Sequence, residues 1–332
     1  MAGLPSVREA RAQCATKFEN HHARAACPKF DCRPVAVRAP PPRACACASG
    51  GALAEPDRAV WQLKPLRWLH VPKTGTSFAN SVVQVACGVL PEWAEIRVRP
   101  DYLARTGNPG GLLPLWFQAC FPEVVPAQCS FTAKSWSYMV DHVPIGADEV
   151  KALGALSFVT ILRAPVPRLL SLYNQWLREI KLSFGDGQHN ASERHLLGWL
   201  RPAKGQPLHT GCTTKMLVGR KCDEAYPSAD EVALAKERLS RFAFVGLEDQ
   251  WELSMCLFHR LYGRHVPALA LSNVRPGKAT LARVAAQTAM LRAAGFVDQA
   301  DEEIYAHGRR LFAAQLRARM GANATCAASL TL

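Results

Sequence analysis

Apolar runs alternate with stretches of helical period along most of this chain. Leu66-Arg67-Trp68-Leu69 predicts a strand over 66–71, followed by a loop at 72–77 and a helix at 77–87. Leu156 to Leu162 is an unbroken apolar run with β-branched residues, the pattern of a strand buried in a parallel sheet. Leu169, Leu170, Tyr173, Trp176, Leu177 and Ile180 recur at helical spacing and predict a helix over 166–181. Ser228-Ala229-Asp230-Glu231 is a capping box, so a helix starts at Ala229 and runs to about Arg241. Residues 242–246 read as a short strand, and the helix at 250–262 is expected to stop at Gly263. Two C-terminal helices follow at about 280–294 and 301–319; in the second, Ile304, Gly308, Leu311, Phe312 and Leu316 share a face.

Between these elements, residues 88–128 are loop-rich and a short strand is expected from Cys129 to Ala133. Residues 183–210 carry Gly, Asp, His and Pro and read as an insertion able to touch a substrate. Residues 1–60, rich in Ala, Pro, Arg and Cys, show no sustained period and read as a disordered or stem-like leader. The alternation of strands and helices predicts an α/β fold, a central parallel sheet with helices on both faces. Ligands are expected at the C-terminal ends of its strands.

Composition narrows the function. The chain has 332 residues, 49% of them hydrophobic, enough for one large α/β domain or two small ones. Its net charge is +13, and the first sixty residues supply only nine Lys or Arg against five Asp or Glu, so the excess is spread through the folded part. Such a charge favours anionic ligands. No nucleic-acid motif and no aromatic–basic repeat is present, so no nucleic-acid partner is expected. Twelve cysteines show no paired zinc spacing and suit an oxidising compartment. Cys120–Cys129 and Cys212–Cys222 are candidate disulfides because each closes a short loop, with reduced core cysteines the alternative. Asn190-Ala-Ser192 and Asn323-Ala-Thr325 are glycosylation sequons. No run of eighteen apolar residues marks a membrane span and no signal segment is seen, so membrane association is expected only through an anchor absent from this chain.

The candidate chemistry starts at His70-Val71-Pro72-Lys73-Thr74-Gly75-Thr76-Ser77-Phe78. A strand, a short Gly-containing turn and a helix N-terminus make an anion cradle, where backbone N–H groups converge and the helix dipole adds positive potential. Lys73 adds a full charge, and Thr74, Thr76 and Ser77 add hydroxyls. No glycine precedes the lysine at nucleoside-triphosphate P-loop spacing, which argues against an ordinary ATPase loop. A second stretch, Arg163-Ala164-Pro165-Val166-Pro167-Arg168-Leu169-Leu170-Ser171-Leu172-Tyr173, puts an Arg fork at a strand end and a hydroxyl one to two turns into the next helix. Together Arg163 and Ser171 suit a phosphate monoester.

The order Pro-Lys-Thr-Gly-Thr-Ser resembles the 5′-phosphosulfate loop of sulfotransferases, and the Arg, Pro, Arg, Ser, Tyr spacing resembles their 3′-phosphate signature. Further similarity runs through Gly211 to Leu217, Arg241 to Glu248, Trp251 to Tyr262 and Asp301 to Tyr305, so it covers about Leu66 to Arg319. The chain is most similar to the glycan sulfotransferases of the Golgi, the group containing heparan sulfate 2-O- and 6-O-sulfotransferases. The resemblance implies a P-loop NTPase-like three-layer fold over residues 61–325. It implies transfer of a sulfuryl group from 3′-phosphoadenosine 5′-phosphosulfate (PAPS) to a glycan hydroxyl, in the Golgi lumen or secretory pathway, with no metal required.

By the same resemblance, Lys73 stabilises the leaving 5′-phosphate, Thr74, Gly75, Thr76 and Ser77 hold the phosphosulfate, and Arg163 and Ser171 fix the 3′-phosphate. Ala164 stands where many relatives have Asp. The family's general base, His or Glu after the second strand, falls at Ala133 or Lys134 here. His142 and Lys134 are therefore the candidate bases, with Asp141 a weaker option; a lysine base needs a lowered pKa. Two other classes stay open: a glycan- or nucleotide-binding protein of the same fold without catalysis, and an ATP-dependent kinase.

Overall fold

The computed structural model describes residues 65–90, 94–96, 120–121, 129–130, 142–151, 157–184, 193–200, 209–262, 266–271 and 281–320. Three strands form one sheet: β1 (Leu66–Trp68), β2 (Ser157–Leu162) and β3 (Phe244–Leu247). All pairings are parallel and the spatial order is β1-β2-β3. Every strand residue is buried, as an apolar run without alternation requires. Helices α1 (Phe78–Ala86) and α2 (Ala147–Lys151) lie between β1 and β2 in the chain. Then α3 (Pro165–Phe184), α4 (Glu193–Leu200), α5 (Cys212–Val218) and α6 (Ala229–Leu239) lead to β3. After it come a 3-10 turn (Glu248–Gln250), α7 (Trp251–Leu261), a second 3-10 turn (Ala268–Leu271), α8 (Leu281–Ala293) and α9 (Gln299–Met320).

Side-chain alternation along β3 explains the layering. Phe244 faces one side, where its ring meets Phe78 of α1 at 5.7 Å and Phe258 of α7 at 5.0 Å. Phe78 and Phe258 close the triangle at 4.7 Å, edge to face. Each such pair adds about 0.5–1.5 kcal/mol beyond its buried area. Val245 and Leu162 face the other side, where Gly308 lets α9 lie close against the sheet. Helices therefore cover both faces, as the pattern predicts. A satellite core of Leu169, Leu170, Tyr173, Leu177, Leu196, Leu200 and Leu291 joins α3, α4 and α8.

The helix at 229 begins as its sequence dictates: Ser228 Oγ accepts from Glu231 N–H, and the Glu231 carboxylate accepts from Ser228 N–H. Cys212–Cys222 is present. Cys120–Cys129 is not, because Cys129 pairs with Cys87. Cys87 caps the C-terminus of α1, and Ser130 returns to that point, donating to Ala86 O and accepting from Leu66 N–H. The backbone thus delivers residue 129 to Cys87, a closure that sequence distance hides. Cys120 is itself disulfide-bonded, as is Cys256.

Cys129 and Ser130 lie outside any strand, and Phe131 to Ala133 fall outside the described residues. So do the leader at 1–60, Gly263 and both sequon asparagines. The region at 183–210 contains helix α4. Among the described residues no helix is long and apolar enough to cross a membrane.

Candidate functional site

Two loops leave the C-terminal edge of the sheet side by side. The first runs from Leu69 to Ser77. His70 is buried, its ring stacked 4.1 Å from Trp68. Thr74 Oγ1 donates to Val71 O at 2.9 Å and ties the turn. Lys73 has φ of +70°, uncommon for a residue with a Cβ, and Gly75 has φ of +103°. A Cβ on Gly75 would lie 2.8 Å from the Trp251 ring, so the loop sits directly on that indole. Trp251 is held in turn by its Nε1–H, which donates to Ala270 O.

This backbone sorts its polar groups. The carbonyls of Gly75, Thr76 and Ser77 accept from Phe78, Ala79 and Asn80 and so point into the first turn of α1. The N–H groups of Gly75, Thr76 and Ser77 donate to no oxygen among the described residues. α1 has neither an acidic residue in its first turn nor a side-chain cap. Donors and the positive end of a nine-residue helix are thus presented at one place.

The second loop begins at Arg163. The register pairs Leu162 with Leu247, so Arg163 and Glu248 leave the sheet together. Arg163 Nε lies 3.3 Å from Glu248 Oε2, and Arg163 Nη1 donates to Lys73 O at 3.3 Å. The two motifs, ninety residues apart in the chain, are joined by that bond. Burial pushes the Glu248 carboxyl up from its ordinary value, Arg163 opposes this and Asp249 adds to it. Lys73 Nζ donates to Gln175 Oε1 at 2.5 Å. Gln175 lies one turn beyond Ser171 on α3, so the two share a helix face. Ser171 is half-buried, and among the described residues no hydrogen bond joins it to Arg163.

His142 reaches the same strand end from the other side. Its Nδ1 lies 3.0 Å from His70 O, and the two rings are 4.4 Å apart. A carbonyl can only accept, so Nδ1 carries the proton and Nε2 carries the lone pair of the neutral ring. Lys134 and Asp141 lie outside the described residues.

The structure therefore joins Lys73 to Arg163 and places Thr74, Gly75, Thr76, Ser77 and His142 on the same β1 loop or against it. Sequence reasoning missed Gln175, Glu248 and Trp251. The i,i+4 spacing from Ser171 was the available signal for Gln175; Glu248 needed the strand register.

Lys215, within the segment noted at 211–217, belongs elsewhere. It is buried in α5, donates to Cys222 O at 3.1 Å, and is held below its ordinary pKa by that burial. Around it lies a closed polar hub. The Asp301 carboxylate accepts from Thr213 N–H, Thr214 N–H, Thr214 Oγ1 and Arg168 Nη2. Asp298 accepts from Gly211 N–H and Tyr226 Oη. Burial and the neighbouring Asp301 charge push Asp298 up to about 6 against the pull of Arg168, and Tyr226 is pushed up to about 12, chiefly by burial. The hub fastens the starts of α3, α5 and α9.

Among the described residues no cluster of three or more His, Cys, Asp or Glu could hold a metal ion. No family model matches the chain, and no curated protein or solved structure matches it.

Proposed function

We propose that this chain is a sulfotransferase of P-loop-like fold that uses PAPS as donor and a glycan hydroxyl as acceptor. The observation that carries the reading is the Arg163 to Lys73 bond, which brings the candidate 3′-phosphate arginine against the candidate phosphosulfate loop. The free N–H groups at 75–77 fit the same anion. The donor supplies the sulfuryl group: the acceptor oxygen bonds to sulfur as the bond from sulfur to the 5′-phosphate oxygen breaks.

The chain's residues provide position and charge. Lys73 offers its ammonium to the leaving phosphate oxygen once it turns from Gln175. Arg163 keeps N–H donors beyond those facing Glu248 and Lys73 O. His142 takes the acceptor proton at Nε2, the nitrogen left basic by the Nδ1 contact with His70 O. Disulfides and a sulfated-glycan chemistry both suit a secretory compartment, and the Golgi lumen is part of the proposal.

A second reading has its own support. Glu248 and Gln175 already engage the two cations, as they would in a binding protein of this fold that lacks turnover.

Calorimetric titration with adenosine 3′,5′-bisphosphate, beside ATP, tests the donor site. Micromolar binding of the bisphosphate, weak binding of ATP and loss of binding in Arg163→Ala and Lys73→Ala are expected. A folded protein that ignores the bisphosphate ends the sulfotransferase reading, and a preference for ATP points to a kinase. Donor binding without sulfate transfer to any glycan favours the second reading.

A further inference from the structure

The ion pair at the strand ends is looser than its position suggests. Arg163 Nε lies 3.3 Å from Glu248 Oε2, yet that nitrogen, itself buried, makes no well-aligned hydrogen bond among the described residues. The directed bond of this guanidinium goes instead from Nη1 to Lys73 O. Charge rather than geometry therefore holds Glu248 to Arg163, and both side chains are partly wet. A phosphate offers what Glu248 does not, oxygens spaced to meet a guanidinium fork. The strand register keeps Glu248 in place all the same, because Leu162 pairs with Leu247 and the next residue of each strand is one partner of the pair.

The charges facing Glu248 come from few elements. Burial holds its carboxyl above the ordinary value, Arg163 pulls it down, and Asp249 beside it on the 3-10 turn pushes it up. Tyr305 comes from α9; its phenol is pushed up by burial and by the charges of Asp249 and Glu248, with Arg309 opposing. On α7, Glu252 is exposed, and α1 has no titratable side chain. From the β1 loop, Lys73 turns its ammonium to Gln175 Oε1. Among the described residues Arg163 is thus the cation paired with Glu248, and a phosphate on Arg163 has to share it. Two anions on one guanidinium repel as two carboxylates in one site do, and such a pair relaxes by keeping a proton.

On the reading that these loops hold a phosphate, we propose that Glu248 is one of its ligands and binds it in the protonated form. A proton from solvent adds to a carboxylate oxygen of Glu248 as the phosphate displaces that carboxylate from Arg163. The neutral carboxyl no longer repels the phosphate, and its O–H donates to a phosphate oxygen. Glu248 thereby changes from the anion that occupies Arg163 into a donor beside it. Loading of the site is favoured in an acidic compartment and opposed as pH rises. None of this depends on sulfuryl transfer.

Calorimetric titration of the full chain with adenosine 3′,5′-bisphosphate at pH 5, 6, 7 and 8, in buffers of low and high ionisation enthalpy, counts the protons taken up. The phosphates of this probe titrate near pH 6 themselves, so Glu248→Gln, neutral at every pH, is the reference. Wild type should take up more protons than Glu248→Gln between pH 6 and 8, by up to about one per ligand. Its affinity should trail that of Glu248→Gln by about tenfold or more at pH 8, matching a rise of about one unit or more in the carboxyl's pKa on binding, and the gap should close toward pH 5. Equal proton counts with a gain in Glu248→Gln that is the same at every pH would overturn the proposal, since Glu248 then stays ionised and only repels. Equal affinities at every pH would overturn it too, since Glu248 then moves aside. If neither protein binds the bisphosphate at any pH, the phosphate site itself is refuted, and the role of Glu248 with it.

Discussion

The strand-end loops and the Asp298–Asp301 hub both gather charge near helix N-termini, yet they are built in opposite ways. In the hub every oxygen of Asp301 is met by donors from two elements, α3 and α5, and Arg168, Asp298 and Asp301 are sealed from water. At the strand ends, backbone N–H groups at 75–77 have no acceptor among the described residues, and Arg163 and Glu248 are 25% and 31% exposed. Charge that is paired and dry fixes structure, even though the buried Arg168 Nε and Nη1 find no acceptor among the described residues; charge that is paired but wet is available to a ligand. The same residue types thus separate into scaffold and site by exposure to water, not by identity.

The sharpest break of that contrast is Asp301→Ala. It strands Arg168 and two α5 N–H groups in the interior and should cost about 3–5 kcal/mol, read as a lowered urea midpoint. Asp298 gives a pH signature. Its folded-state pKa is raised from 3.8 to about 6, so the folded protein holds a proton that the unfolded chain has released. Its contribution to stability should fall as pH rises from about 4 to about 6, by up to about 3 kcal/mol, then level off. Denaturation of wild type and Asp298→Asn at pH 4, 5, 6 and 7 measures this as a wild-type-minus-variant stability that falls across that window; parallel curves would refute it.

Gly75→Ala tests the loop from the other side. Its positive φ and the 2.8 Å approach to Trp251 should cost about 1–3 kcal/mol and abolish bisphosphate binding. Arg163→Ala should be the mildest for the fold, within about 1 kcal/mol by thermal melting, because its ion pair is partly wet. Its bisphosphate affinity should nevertheless drop about tenfold or more. If Arg163→Ala melts as early as Asp301→Ala, the contrast between the two regions fails.

The fold was legible where periodicity speaks. Leu156–Leu162 reads as a buried strand, and Ser157–Leu162 is one; the Ser228 capping box starts its helix where the sequence says. The loop at 72–77 was legible because its parts are contiguous. What escaped depends on how separate segments meet. Glu248 lies beside Arg163 only because Leu162 pairs with Leu247, a register that no local pattern encodes. Gln175 reaches Lys73 only through the phase of α3 against the sheet. Cysteine pairing shows the same limit. Closing the shortest loop succeeds for Cys212–Cys222, where α5 and its exit loop are neighbours, and fails for Cys129, where the backbone returns to α1 instead.

That return has a consequence for how this protein can change. The Cys87–Cys129 bridge spans a sequence separation of 42 and holds its ends 4.3 Å apart at Cα, directly behind the helix whose front presents the loop. A closure of that size restrains the unfolded chain by roughly 4 kcal/mol in a chain-entropy estimate. The segment between the cysteines is pinned at further points as well: Ala94, Ile96 and Phe121 pack in the core, Ile96 N–H donates to Asn80 Oδ1 of α1, and Cys120 is itself disulfide-bonded. Variation there has to respect those anchors, which together with the bridge hold α1 and the cradle in front of it in register.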